Sequence, residues 1–299
     1  MGHDGVESIL ENKAGFYSQL FFLINHAIYA KTNMLAFKIK SDKWLFKYKD
    51  GWCDYFENYM LNSNTNAFFA GKTHNHILIN VPLSNYKEML QYIYRYNSET
   101  IGFISNVKNK VNLGKEYDSI FVRRGDKLTS GESDYHNAGM YIDLLLLKNP
   151  LANLVYVHTD DFTVIEEIQE HLTKLHITIN IVTLCEEWER GTFVYDFYKQ
   201  NMKGYKPRNS KVMDYIRDKY INPSKSVNTM TKDEIKQHTL TMIAGVDIVC
   251  KSNLCILDYE SNVGRFIKLF HKDSSSVYNI LTPDKDIDYN KPRCPAYSF

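Results

Sequence analysis

The chain has 299 residues, 44% hydrophobic and 24% charged, which suits two α/β domains of ordinary size or one large one. A formal net charge of +1 excludes a bulk electrostatic footprint for nucleic acid, so any phosphate binding must be local. The five cysteines are odd in number and form no Cys-x-x-Cys pair, which suits a reducing compartment better than a disulfide framework.

In chain order, an amphipathic helix is expected within residues 12–36, with Leu20, Leu23, Ile24, Ala27 and Ile28 at helical spacing. Its apolar run from Phe16 to Ala30 is broken by Gln19, Asn25 and His26, too short and too polar to span a bilayer. No signal pattern precedes it, so the expected location is cytoplasmic, with no transmembrane segment. Met34 to Ile39 reads as a strand, and Trp44 to Trp52 as an aromatic loop turning at Asp50-Gly51. A strand over Ile77 to Val81, ended by Pro82, precedes a helix over Tyr86 to Tyr96. Polar residues 104–117 read as a crossing between domains. Beyond it, strands at Ser119–Val122, Leu154–His158 and Ile177–Val182 alternate with helices at His136–Leu147 and Phe162–Leu175. That alternation indicates parallel βαβ units. Residues 186–230 carry little pattern. Thr231 to Gly245 reads as a helix, Asp247–Val249 and Cys255–Leu257 as short strands, and Gly264–Phe270 as a last helix. The expected domains are 1–115, 116–282 and an extended tail over 283–299.

The chemistry concentrates in Asp118-Ser-Ile-Phe-Val-Arg-Arg-Gly-Asp-Lys127, followed by Glu132 and His136. A short apolar strand delivers Arg123, Arg124, Asp126 and Lys127 at its carboxyl end, where open α/β sheets bind ligands. Arginine is scarce here beside lysine, so two in sequence suggest planar, bidentate donors, whose natural partner is a phosphate or pyrophosphate. No cluster with obvious metal spacing stands out; His74-x-His76 alone is weak.

Four segments together resemble the α-1,6-fucosyltransferases and the bacterial nodulation fucosyltransferases. Gly15-Phe16-Tyr17-Ser-Gln-Leu20 with Ser41 to Trp44 and Gly51 to Phe56 is similar to their amino-terminal domain. Val122 to Lys127 resembles their Arg-Arg-x-Asp-Lys core, and after one inserted residue Glu132, His136 and Tyr141 fall on the family's Glu, His and Tyr. Val155-Tyr-Val-His-Thr-Asp160-Asp161 resembles the second motif. Val246 to Ser252, then Ser261-Asn262-Val263-Gly264-Arg265, resembles the third.

The resemblance implies a GT-B fold of two Rossmann-like domains facing across a cleft, and an inverting, metal-independent transfer of fucose from GDP-β-L-fucose. It implies a pyrophosphate grip by Arg123 with Arg124 behind it, holding Asp126. It also implies help from Lys127 at the β-phosphate, Glu132 as general base and Asp247 as reader of guanine. Phosphate would lie at Ser261 and Asn262, with Gly15, Phe16 and Tyr17 facing the donor and Tyr141, Asp160 and Asp161 supporting the site. The partners implied are a nucleotide-sugar donor and a glycan acceptor, of the chitin type for the compact nodulation enzymes. One departure stands out: the family usually carries a base-contacting His where this chain has Phe121. Another GDP-deoxysugar or an α-1,2 linkage therefore stays open, as does a catalytically inactive nucleotide- or glycan-binding protein. Residue by residue, plainer readings also stand. The arginines would be surface ion pairs, Asp160-Asp161 a helix cap, Glu132 a partner of Lys127 or Arg124, Asp247 a strand-end carboxylate, and Gly15 a helix-start glycine. Trp44 and Trp52 would be core.

Overall fold

The run of apolar residues from Phe16 onward forms α1 (Phe16–Thr32), and Leu20, Leu23, Ile24, Ala27 and Ile28 are all buried along it. The structure, a computed structural model, describes residues 5–11, 14–61, 68–71, 82–129, 135–191 and 227–282. The expected strand over 77–81, the stretch 192–226, Glu132 and the tail 283–299 lie outside the described residues.

The described residues divide into two compact units: those up to Phe103 with Lys232–Leu240, and those from Ile104 to Thr231 with 241–282. In the first unit, α1 joins two parallel strands, β1 (Gly5–Ile9) and β2 (Ala36–Lys40), and β3 (Phe68–Gly71) pairs with the other edge of β1. Nothing in the sequence pattern announces β1: the segment offers only Val6 and Ile9 as apolar signals, yet Val6 and Ser8 are both buried at the centre of this sheet. A second helix, α2 (Leu83–Ile93), packs on α1. The aromatic loop is folded into the core. Trp52 stacks on Phe56 at 4.2 Å, Trp44 lies 5.2 Å from Phe16, and both tryptophans are buried. Asp54 closes that loop by accepting the backbone N–H groups of Tyr48, Lys49 and Asp50, while Gly51 turns it at φ +71°.

Where a polar crossing was expected, α3 (Ser98–Val111) forms instead. The Asn97 side chain accepts the Thr100 N–H at 2.9 Å, a helix N-cap, and Lys108 and Lys110 sit in the last turn. Its asparagines 106 and 109, and Asn112 just beyond it, are exposed, and only Thr100 and Ile104 are buried, so the helical period is nearly silent in the sequence.

The second unit is built on five parallel strands: β4 (Asp118–Val122), β5 (Leu154–Thr159), β6 (Asn180–Thr183), β7 (Cys255–Leu257) and β8 (Val277–Asn279). Their spatial order is β6-β5-β4-β7-β8. Read from β4, the chain builds outward on one side and then crosses back to build on the other, the doubly wound pattern with its switch point between β4 and β7. A short α4 (Asp126–Thr129) follows β4. Helices α5 (Gly139–Lys148) and α6 (Thr163–Leu175) cover one face, where Ile120, Val122, Val155 and Val157 meet Ile142, Leu145 and Ile168. The other face meets α7 (Lys232–Cys250): the Tyr117 hydroxyl donates to the Ile248 carbonyl and the Ser119 hydroxyl lies 2.7 Å from that of Ser252. Asp247–Val249, expected as a strand, is the last turn of α7. The run Val246, Ile248, Val249 is buried, and a helix buried on most sides reads like a strand. The last helix, α8 (Asn262–Phe270), follows β7.

Candidate functional site

The alternation of side chains along a strand explains how two adjacent arginines reach different surroundings. Phe121 and Arg123 project to the α7 side of β4, and Val122 and Arg124 to the α5–α6 side. The same parity holds on β5, which pairs with β4 in register, Phe121 opposite His158 and Val122 opposite Thr159. His158 and Asp160 therefore share a side with Arg123, and Asp161 shares one with Arg124.

On the α6 side the polar groups are used up by the protein. Arg124 is 2% exposed and makes a fork with Glu167, Nη1 to Oε1 at 3.0 Å and Nη2 to Oε2 at 2.7 Å. Nη1 also donates to Thr163 Oγ1 at 2.8 Å, and the guanidinium lies over the Tyr135 ring. Glu167 in turn accepts the Tyr135 hydroxyl and the Ala138 N–H at the start of α5. Asp161 is fully buried and accepts the N–H and hydroxyl of Thr163, the first residue of α6. That is the capping reading of Asp161.

On the opposite side the groups remain near solvent. Arg123 pairs with Asp160, and the two side chains are 16% and 13% exposed. The other oxygen of Asp160 accepts the Arg124 N–H at 2.9 Å, which fixes the carboxylate against the strand end. Gly125 adopts φ +56°, a left-handed turn that leads from the arginines into Asp126 and Lys127 of α4. The His158 ring lies 5.7 Å from that of Phe121, and its pKa is pushed down to about 4, by burial first and by Arg123 second. Imidazole is therefore neutral there at physiological pH.

Across the switch point, β7 delivers Ser261 as the N-cap of α8. Its Oγ accepts the Gly264 N–H at 2.9 Å, and Asn262 opens the helix. Gly264 sits so close to the strand end that a Cβ would lie 2.2 Å from the Asp258 carbonyl oxygen. The free N–H groups and dipole of this first turn are suited to an anion. Tyr141, buried on α5, has its phenol pKa raised by burial and by the charge of Asp258. Among the described residues one group has the chemistry to hold a cation: His136, Asp258 and Glu260, whose ligand atoms lie within 4.8 Å of one another. His136 stands over a hundred positions from Asp258 and Glu260, so no sequence spacing announced the group.

Asp247 lies on α7 and is 2% exposed; its Oδ2 meets Lys108 at 2.7 Å and Lys251 at 3.0 Å. The strand-end reading of Asp247 falls, and Lys108 enters as a partner that nothing in the sequence pointed to. In the first unit, Gly15 is the N-cap of α1, with open space where its Cβ would be. Phe16 and Tyr17 have buried side chains, and the Tyr17 hydroxyl meets that of Tyr94 at 3.1 Å. What this segment offers a ligand is the start of α1, beside a pocket at the carboxyl end of β1 lined by Leu10, Glu11, Ala14 and Gln19. The Gln19 amide holds that loop through the Glu11 N–H and the Glu11 and Ala14 carbonyls. Thus Arg123, Lys127, Asp160 and Ser261 flank one switch point, and Arg124 and Asp161 buttress it.

No helix among the described residues is long and apolar enough to cross a membrane. No family model and no curated protein sequence matches the chain. Solved structures do. The fucosyltransferase NodZ from Bradyrhizobium aligns over 90% of this chain and 94% of its own, with a TM-score of 0.55 at 9% identity. A NodZ α-1,6-fucosyltransferase crystal soaked with GDP-fucose aligns over 90% of this chain and 93% of its own, with a TM-score of 0.54 at 10% identity. The chain has the mixed α/β, GT-B fold of these fucosyltransferases.

Proposed function

We propose that the protein is a glycosyltransferase that moves fucose from GDP-β-L-fucose to a glycan acceptor with inversion at the anomeric carbon. One observation carries the reading: the chain matches the NodZ fold over nine-tenths of both lengths, 90% and 94%. The Arg-Arg-x-Asp-Lys segment then stands after the central strand β4, at the switch point of the second sheet. In this reading an acceptor hydroxyl oxygen attacks C1 of fucose, the bond from C1 to the β-phosphate oxygen breaks, and GDP leaves. The hydroxyl proton passes to Glu132 as general base. Arg123 and Lys127 take up the charge that gathers on the departing diphosphate, with no resident metal required. The amino end of α8, capped by Ser261, receives a phosphate. A GlcNAc-containing oligosaccharide is the acceptor class to try first.

Phe121 favours a second reading on the donor sugar, a different GDP-deoxysugar or an α-1,2 linkage, because an apolar ring replaces a polar group at the strand end. Turnover of GDP-fucose in EDTA, with and without chitin-type oligosaccharides, tests the first reading. Thermal shifts with GDP, UDP and ADP identify the nucleotide, since a ligand of the folded state raises apparent stability by mass action. Stabilisation by UDP alone overturns the GDP reading, and GDP binding without turnover of any GDP-sugar points to an inactive binding protein.

A further inference from the structure

Two loops flank the switch point on its α5 side, and each carries part of one donor set. Strand β7 pairs with β4 so that Ile256 stands opposite Ile120 and Leu257 opposite Phe121. Strand parity therefore carries Asp258 to the side of Ile256 and Val122, toward α5 and α6. Asp258 Oδ1 accepts the Glu260 N–H at 2.8 Å, which folds both acids into one tight turn ahead of α8. From the other loop comes His136, whose carbonyl accepts Arg124 Nη2 at 3.5 Å just before α5 begins. One ring nitrogen of His136 and one carboxylate oxygen from each acid lie within 4.8 Å of one another.

A cluster of acids in open solvent would mean little, since water satisfies it. Here Asp258 is 8% exposed, and Nε2 of His136 is shut off from solvent with no hydrogen-bond partner among the described residues. A buried nitrogen that bonds to nothing costs free energy unless something bound in the site meets it. Two carboxylates this close also repel each other, and one dication relieves both faults.

We infer that His136, Asp258 and Glu260 form a binding site for a divalent metal ion of the Zn²⁺ class. The donor set selects that class: an imidazole nitrogen suits Zn²⁺ and its neighbours, whereas Mg²⁺ and Ca²⁺ prefer oxygen alone. Bonds of about 2.0–2.1 Å to a tetrahedral ion place its ligand atoms about 3.3–3.4 Å apart. The three side chains reach that spacing by closing in about 1 Å. His136 and Glu260 are half-buried, which leaves room for the movement. Three protein ligands leave the fourth position to water. The ion clasps the segment that follows the arginine motif to the turn before α8, across the switch point. As a clasp it asks nothing of the transfer chemistry, and it holds whether or not the donor-site reading does.

The test strips the full chain of metal with EDTA, dialyses it, and titrates it with ZnCl₂ in a calorimeter with no nucleotide present. One equivalent of Zn²⁺ should bind at this site and raise the melting temperature by mass action. His136→Ala should weaken that binding by at least about a hundredfold, the upper end of what losing a mere supporting partner of a ligand costs. Glu260→Gln should act in the same direction. A double variant, His74→Ala with His76→Ala, should leave the affinity unchanged. Melts in EDTA show that each variant folds as the parent does. Absence of Zn²⁺ binding, full affinity in both His136→Ala and Glu260→Gln, or loss of binding in the His74 and His76 double variant alone overturns the inference.

Discussion

The two sides of the second sheet receive neighbouring residues from the same two strands and treat them in opposite ways. Toward α6, Arg124 and Asp161 find Glu167, Thr163 and Tyr135 and are consumed by the fold. Toward α7, Arg123, Asp160 and His158 keep part of their surface at the strand ends. Like residues side by side in a motif thus need not play the same part. Strand parity hands one to structure and the other to solvent, where a ligand can reach it. The same parity makes one side a question of stability and the other a question of binding.

Breaking the structural side should have the largest effect. Arg124→Ala strands the Glu167 carboxylate against its buried surroundings and should destabilise the fold by about 3–5 kcal/mol, read by urea unfolding. Arg123→Ala should do the reverse. Turnover of GDP-fucose should fall by about 10²–10³-fold, with a melting temperature close to that of the parent. If Arg123→Ala melts far lower and Arg124→Ala is inert in stability but dead in catalysis, the two sides have been read backwards.

A smaller effect is expected from pH. The His158 pKa is lowered in the fold, from 6.5 to about 4, so the folded protein holds fewer protons than the unfolded chain in that window. Stability from this group is complete above pH 6.5 and declines as pH falls toward 4, by at most about 3 kcal/mol. The difference between parent and His158→Phe unfolding curves isolates it from the carboxylates that titrate nearby. A difference that stays flat from pH 7 to 4 would place the imidazole in water. The smallest effect is reserved for EDTA, which should change the transfer rate by less than about twofold when Arg123 and Lys127 carry the leaving-group charge. A loss restored by Mg²⁺ or Mn²⁺ would instead give an ion at His136, Asp258 and Glu260 a part in the transfer.

The strands at 119–122 and 154–158 and the motif between them were plain in the sequence because each is a short apolar run with charge at its carboxyl end. Strand parity alone would have separated Arg123 from Arg124. What stayed hidden was set by partners distant in the chain. Glu167 is 43 positions from Arg124, and Lys108 meets Asp247 only once α3 exists, a helix whose exposed asparagines disguise it. Asp247 looked like a strand because β-branched residues surround it; burial of α7 on most sides, not strand pairing, explains those residues.

The crossing that creates the switch point also schedules the birth of the domain. Strand β7 reaches β4 from 135 positions further along the chain, where the Ser119 hydroxyl meets the Leu254 carbonyl. At a synthesis rate of about 5–20 residues per second, that edge of β4 waits about 7–27 s on the ribosome for its mate. Meanwhile an apolar strand with open backbone groups is a template for stray pairing. Expression at lower temperature, or with chaperones that shield nascent strands, should therefore raise the soluble yield of this protein.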